Sequence, residues 1–197
     1  MERYLVSLTA LRGRGPRPAP AGADTRRENS GMPVERCAGC GFDSEIWSDQ
    51  AAVDAIGRLS TQWADASAGL VSDELQRRPI PEMWSIAEYT DHVREVLFAM
   101  RFVLDSAVNQ PGIELGDAPE PEFPAVPRAI DVRVALSGLD REAKALRDRL
   151  VLLSDSSWSS TAVVGTDELD AHWIARHAVH DATHHLRDVS RLRDAFR

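Results

Sequence analysis

Residues 84–93 read WSIAEYTDHV and mark the start of a long amphipathic helix. Ser85 and Glu88 have the spacing of a capping box, in which each side chain accepts a hydrogen bond from the other residue's backbone N–H. Apolar residues then recur at intervals of three and four as far as Val103, which places them on one face of a helix. The stretch therefore predicts a helix, helix B, that starts at Ser85 and buries this face in a core.

Three further helices are predicted around helix B. Helix A covers about 48–70, helix C covers 132–153 with an almost heptad repeat of apolar residues, and helix D is capped by Thr166 and runs to the C-terminus. Five prolines between 107 and 127 predict a long crossover loop between helices B and C. Only 161–164 resembles a strand, and it is too short to build a sheet. The predicted fold is an all-α four-helix bundle.

Composition limits both the domain organisation and the classes of function. The chain has 197 residues and a formal net charge of -8, so it lacks the basic surface that a nucleic-acid-binding protein needs. No apolar run approaches the length of a membrane-spanning helix, and two cysteines suit a reducing cytoplasm. We expect a disordered tail over 1–31, a lead-in segment over 32–47 and the bundle over 48–197, with translation starting at Met1 or Met32.

The main functional signal is a cluster of histidines near the C-terminus. Five of the six histidines lie between 172 and 185. His180 and His184 are four residues apart, a spacing that brings two imidazoles on adjacent helical turns to one metal ion, and His177 lies on the same face. His92 on helix B is predicted to point into the bundle, where it could complete the site. The competing interpretation is a hydrogen-bonded core histidine at position 92 and a surface pair on helix D.

Other polar residues have the spacing of supporting groups. Glu88, Asp181 and Asp188 could each hold an imidazole in its metal-binding tautomer. Cys37 and Cys40 have the spacing of a zinc knuckle, but the sequence shows no second C-x-x-C or nearby H-x-x-H to complete it. Three interpretations stay open for the cysteines: inert reduced thiols, a zinc site shared between two chains, or a redox pair.

Three motifs together resemble the DinB/YfiT-like metalloprotein superfamily. They are WSIAEYTDHV at 84–93, HAVHDATHHL at 177–186 and CAGCGFD at 37–43, the last typical of members of actinobacterial type. The resemblance extends from about Cys37 to the end of the chain and implies the four-helix bundle. It also implies metal ligation by one histidine of the first motif and two of the second, here His92, His180 and His184, with His177 as an extra ligand or neighbour. Several members have a glutamate in place of His180, so the metal preference does not carry over.

A site of three imidazoles would leave one coordination position open, as in a catalytic zinc site. Zinc is the first expectation, and nickel, iron(II) and manganese are alternatives. Known activities of the superfamily imply a metal-dependent transferase that activates a low-molecular-weight thiol for attack on an electrophilic small molecule. The single lysine, Lys144, is typical of a GC-rich genome and favours mycothiol over bacillithiol as this thiol.

Two other classes of function are open. A hydrolase or isomerase of the same fold would use the same ion, in the hydrolytic case to activate water. A non-catalytic, metal-stabilised stress-response or interaction module is also consistent, because the sequence shows no clear basic set for a carboxylate-bearing thiol. The nearest candidates for such a set are Arg94, Arg101, Arg176 and Arg187. The resemblance further implies a homodimer, and it gives no support for a nucleic-acid or membrane partner.

Overall fold

The computed structural model describes residues 32–117 and 126–196, so the predicted tail over 1–31 and part of the crossover loop lie outside the described residues. The helices are α1 (Asp49–Ile56), α2 (Leu59–Ser67), α3 (Ser72–Gln76), α4 (Ile86–Asn109), α5 (Val132–Val151), α6 (Asp155–Trp158) and α7 (Ala171–Asp194). The strands are β1 (Arg36–Cys37), β2 (Phe42–Asp43), β3 (Ile113–Glu114), β4 (Thr161–Val164) and β5 (Asp167–Asp170).

The long helices form the predicted bundle. Helix α4 packs against α5 and α7. Helices α1 and α2 together occupy the position predicted for helix A, and they also pack against α5 and α7. Large apolar side chains with almost no exposed surface fill the centre, among them Trp63, Leu97, Met100, Leu139 and Ile174. The all-α, four-helix-bundle prediction is confirmed. Within the described ranges, no helix combines the length and apolar character needed to cross a bilayer.

The start of helix B is also as predicted. The Glu88 backbone N–H donates to the Ser85 hydroxyl at 3.2 Å, and the Ser85 N–H donates to the Glu88 carboxylate at 2.9 Å. Trp84 and Tyr89 pack edge to face on either side of this cap, with ring centroids 5.4 Å apart. The cap fixes the first turn of α4, and with it the direction in which His92 points.

Helix A is interrupted, whereas the sequence predicted one continuous helix. The interruption lies at Gly57, where α1 ends, and α2 begins at Leu59. Glycine has the lowest helix propensity after proline. At position 57 it also leaves space for the side chain of Arg147. A Cβ at Gly57 would lie 3.1 Å from Cδ of Arg147 on α5, so a larger residue here would displace this flexible side chain.

The predictions for 161–170 were wrong in two respects. A three-stranded sheet is present, in which β4 pairs in parallel with β3 and antiparallel with β5. Helix D consequently begins at Ala171 and not at Thr166, with Asp170 as its N-cap and the Trp173 N–H donating to the Asp170 carboxylate at 2.8 Å. Each strand is too short to be recognised by alternation, and the sheet depends on pairing with β3, a segment far away in sequence.

Candidate metal centre

Three side chains from α4 and α7 meet inside the bundle: His92, Asp181 and His185. Nε2 of His92 lies 3.6 Å from Oδ1 of Asp181, and Nε2 of His185 lies 3.5 Å from the same oxygen. All three residues are buried, and their potential ligand atoms lie within 4.8 Å of one another. Asp181 and His185 meet because residues four apart lie on the same face of a helix.

The charges in this cluster depend on one another. Burial would raise the pKa of Asp181, but His185 and His92 outweigh it and hold that pKa well below its usual value. Burial would lower the pKa of His185, yet Asp181 and Asp188 raise it to about 9. Oδ2 of Asp181 is buried and forms no hydrogen bond with any described residue. A buried carboxylate oxygen of this kind is costly unless a cation or a donor satisfies it.

Aromatic rings and a second carboxylate surround the cluster. Trp84 lies beside His92, with ring centroids 4.8 Å apart, and Tyr89 lies beside His185 at 4.9 Å. Nδ1 of His185 lies 3.1 Å from Oδ2 of Asp188. This contact orients the imidazole so that Nε2 faces His92 and Asp181, which is the arrangement seen around metal-binding histidines.

A second group lies on the neighbouring face of α7 and includes the lead-in segment. It consists of Cys37, Cys40, His180 and His184, whose potential ligand atoms also lie within 4.8 Å of one another. Both cysteines are free. The Cys37 Sγ lies 3.5 Å from Nδ1 of His184, and the ring of Phe42 stacks on that of His180 with centroids 4.5 Å apart.

Electrostatics in the second group favour charge on sulfur. Burial would raise the pKa of the Cys37 thiol, but interactions with His180 and Cys40 outweigh it and lower the pKa. Burial would lower the pKa of His180, but the nearby Cys40 thiol and Glu35 carboxylate outweigh it and raise that pKa to about 11. For His184, burial and the nearby His185 both lower the pKa. A bound metal ion would replace the proton of His180, because ligation requires the neutral imidazole.

Glu35 links the lead-in segment to the histidine helix, and the sequence gave no reason to select it. Its Oε1 lies 2.7 Å from Nδ1 of His177, whose ring stacks on Trp173 at 4.5 Å. Burial would raise the pKa of Glu35, but His177 and His180 lower it to about 2. His177 is therefore held by a carboxylate, as a neighbour of the second group.

The structure divides the residues expected to form one site. Among the described residues, no set of ligand atoms within 4.8 Å of one another contains His92 together with His180 and His184. Asp188 and Asp181 contact histidines, as expected of supporting groups, although Asp188 forms its shortest histidine contact with His185. The Glu88 carboxylate accepts hydrogen bonds from Arg78, Ser85 and Arg128, and none of these partners is a histidine.

The sequence did not indicate His185 as a ligand, because a helix turns it about 100° away from His184, off the face shared by His177, His180 and His184. The signal that could have found it is Asp181, four residues earlier, because a carboxylate and an imidazole at this spacing can share one ion just as two imidazoles can.

A separate surface depression has no residue in common with either cluster. It lies between the start of α1, the end of α5 and the start of α7, and its volume is about 430 Å³. His172 lines it and contacts Asp49, with 2.9 Å between Nδ1 and Oδ2. His172 is therefore the histidine of α7 that lies apart from both clusters.

Comparison with known proteins supports the resemblance seen in the motifs. The sequence profile described as the DinB superfamily matches residues 55–189. The chain belongs to the DinB superfamily. The matched region contains His92 and every histidine of α7, but it begins after Cys37 and Cys40. The lead-in segment is thus outside the part of the chain that the DinB superfamily profile covers.

A solved structure has a similar fold. It is YfiT from Bacillus subtilis, described as a probable metal-dependent hydrolase with an unusual four-helix bundle topology. The similarity has a TM-score of 0.62 at 10% sequence identity, and it covers 73% of this chain and 85% of that one. Among curated proteins, no match was found.

Proposed function

We propose that His92, Asp181 and His185 bind a divalent metal ion, and that the protein is a metal-dependent enzyme. The observation that carries this proposal is the position of Asp181, whose Oδ1 lies between two imidazole Nε2 atoms at 3.6 and 3.5 Å while its Oδ2 has no hydrogen bond within the described chain. A single cation would satisfy all three side chains. The description of YfiT as a probable metal-dependent hydrolase supports the same general chemistry.

The donor set fits a catalytic ion better than a structural one. Two imidazoles and one carboxylate leave coordination positions for a substrate, as in His₂Glu zinc enzymes and in iron(II) sites with two histidines and a carboxylate. Zinc is our first choice of metal, with iron(II), nickel and manganese as alternatives. The exposed fraction of the His92, Asp181 and His185 residues is 6%, 4% and 4%, so substrate would meet the ion in a site of low dielectric.

For the reaction we propose transfer of a low-molecular-weight thiol, of mycothiol type, to an electrophilic small molecule. A divalent ion supplies the positive charge that favours thiolate over thiol, and thiolate is the attacking species. Asp188 holds the His185 tautomer through the 3.1 Å contact with Nδ1. Trp84 and Tyr89 pack against the two histidines and keep water from that side.

One observation favours a non-catalytic, metal-stabilised module as the second candidate. The four arginines that could bind a carboxylate-bearing thiol already have partners within the protein. These contacts are Arg94 to Asp91 at 2.7 Å, Arg101 to Glu142 at 3.0 Å, Arg176 to Asp49 at 3.0 Å and Arg187 to the Gly39 carbonyl oxygen at 3.4 Å. A thiol without carboxylates, or no substrate at all, would suit this arrangement.

The test combines metal analysis with a thiol screen on untagged, full-length protein. His92→Ala and Asp181→Asn should each lose about one equivalent of metal and all turnover of a generic electrophile with mycothiol, whereas the control His172→Ala should keep both. A metal content equal to that of wild type in His92→Ala and Asp181→Asn would refute the site. If the variants lose metal as expected but the wild type turns over no thiol, the transferase is refuted and the non-catalytic, metal-stabilised module remains.

A further inference from the structure

Cys37, Cys40, His180 and His184 form a group that the proposed enzyme site does not use. We propose that these four residues bind a second metal ion, zinc, in a closed tetrahedral site that fastens the lead-in segment (residues 32–47) to α7. The donor set is Cys₂His₂, which is typical of structural zinc sites. The pairs come from C-x-x-C in the lead-in segment and from an i,i+4 histidine pair on the helix.

The backbone around the cysteines forms a tight turn. The Gly41 N–H donates to the Cys37 carbonyl oxygen at 2.7 Å, and Gly41 has a φ of 75°. That conformation is accessible to glycine at little cost, and it returns the chain into β2. The turn brings both sulfur atoms within 4.8 Å of the donor atoms of His180 and His184.

The observed spacing matches that of ligands around one zinc ion. With Zn–S of about 2.3 Å and Zn–N of about 2.05 Å, a tetrahedral angle separates sulfur from nitrogen by about 3.6 Å. The Cys37 Sγ lies 3.5 Å from Nδ1 of His184. An S–H to imidazole hydrogen bond could explain this one contact, but it would not explain the assembly of all four side chains.

The histidines have the environment expected of ligands. Both ring nitrogens of His180 are buried and form no hydrogen bond with the described residues. Nδ1 of His180 lies 3.5 Å from Oε2 of Glu35, and Nε2 of His184 lies 3.7 Å from Oδ2 of Asp188. Each imidazole therefore has a carboxylate near one nitrogen and the other nitrogen available for the ion.

A zinc ion would also strengthen the attachment of the lead-in segment to α7. Strands β1 and β2 have two residues each, far too few for an independently stable hairpin. Gly39 lies so close to α7 that a Cβ on it would be 3.4 Å from Cε1 of His184. Ligation would connect residues 37 and 184 directly, beside the stacked rings of Phe42 and His180.

The two sites are adjacent but separable. The rings of His184 and His185 have centroids 5.3 Å apart, and Asp188 contacts both. His180 and His184 belong to the Cys₂His₂ site, while His92 and His185 belong to the proposed catalytic site. The inference about zinc does not depend on the proposed function, since each site can be emptied by substitutions that leave the other's ligands in place.

The experiment measures zinc by mass spectrometry and the spectrum of the cobalt(II)-substituted, full-length protein. Wild type should contain about two equivalents of metal, and Cys37→Ser and Cys40→Ser should each lose about one. The near-ultraviolet band of cobalt–thiolate ligation should be present in wild type and in His92→Ala, and absent from both cysteine variants. His172→Ala serves as the control on α7 and should match wild type.

Alkylation of wild type by N-ethylmaleimide tests the site even if the cysteine variants do not fold. The two thiols should react slowly in metal-loaded protein and at least tenfold faster after chelation. Equal rates, or full metal content in Cys37→Ser, would each overturn the proposal. One equivalent that is lost in Cys37→Ser but retained in His92→Ala would uphold the zinc site and refute the proposed function.

Discussion

Replacement of Glu88 by alanine should destabilise the protein strongly, because this carboxylate joins three segments at the start of α4. It is fully buried, and it accepts hydrogen bonds from Ser85 N–H at 2.9 Å, Arg128 N–H at 3.0 Å and Arg78 Nε at 2.8 Å. A second nitrogen of Arg78, Nη2, contacts the other carboxylate oxygen. The Arg78 side chain is 7% exposed, so this is a buried ion pair.

The magnitude follows from the ion pair and the helix cap that the substitution removes. Removing one partner of a buried ion pair costs about 3–5 kcal/mol, and the loss of a helix cap alone costs about 1 kcal/mol. Burial would raise the pKa of Glu88, but Arg78 and the backbone of Ser85 lower it from 4.5 to about 2. A folded-state pKa below the ordinary value means that the ionised carboxylate stabilises the folded state at neutral pH, as a buried ion pair requires.

The pH dependence has a defined sign. Because the folded pKa is depressed, the stabilisation by Glu88 is fully present above 4.5 and is lost as the pH falls from 4.5 through about 2. Urea denaturation at pH 7 should therefore give Glu88→Ala a free energy of unfolding about 3–5 kcal/mol below wild type. For Glu88→Gln, the difference from wild type should shrink as the pH is lowered through this range.

The exposed Glu82 provides the matched control, since it precedes the same helix. Glu82→Ala should stay within about 0.5 kcal/mol of wild type. A cost below about 1 kcal/mol for Glu88→Ala, the level expected from a cap alone, would show that the ion pair with Arg78 adds nothing. A Glu88→Gln difference that is unchanged at low pH would refute the linkage argument.

Three further predictions concern the site, the core and the sheet. Asp188→Asn should weaken metal binding about 10–100-fold in a chelator competition assay, because it replaces the carboxylate that orients His185 by an uncharged amide; unchanged affinity would contradict this role. Leu97→Ala should lower the free energy of unfolding by about 2–5 kcal/mol in a urea titration, because Leu97 is fully buried between the long helices. A loss below about 1 kcal/mol would contradict this, since it would mean that neighbouring side chains fill the cavity. Gly165→Ala should cost about 1–2 kcal/mol by thermal denaturation, because Gly165 has a φ of 60° in the β4–β5 turn and a Cβ would lie 3.2 Å from Oδ1 of Asp117; an unchanged melting temperature would contradict it.

The parts of the fold that local sequence encodes were predictable. The capping box at Ser85 and Glu88 and the helical period of apolar residues involve neighbours within a few positions, so they predicted α4 and α5 and the bundle itself. The break at Gly57 was not predicted, because the apolar residues keep the helical period on both sides of it. The sheet was missed because β3 and β4, which pair with each other, are separated in the sequence by the whole of α5.

The sequence by itself determined which residue types could bind metal and that the histidines among them lie on helices. Only the tertiary structure decided which of them meet. One residue along a helix is a rotation of about 100°, so His184 and His185, though adjacent in the chain, face different partners. His185 faces His92 on α4, and His184 faces Cys37 in the lead-in segment. The packing of α4 and the lead-in segment against α7 separates the histidines into two groups, and no spacing within α7 alone contains that information.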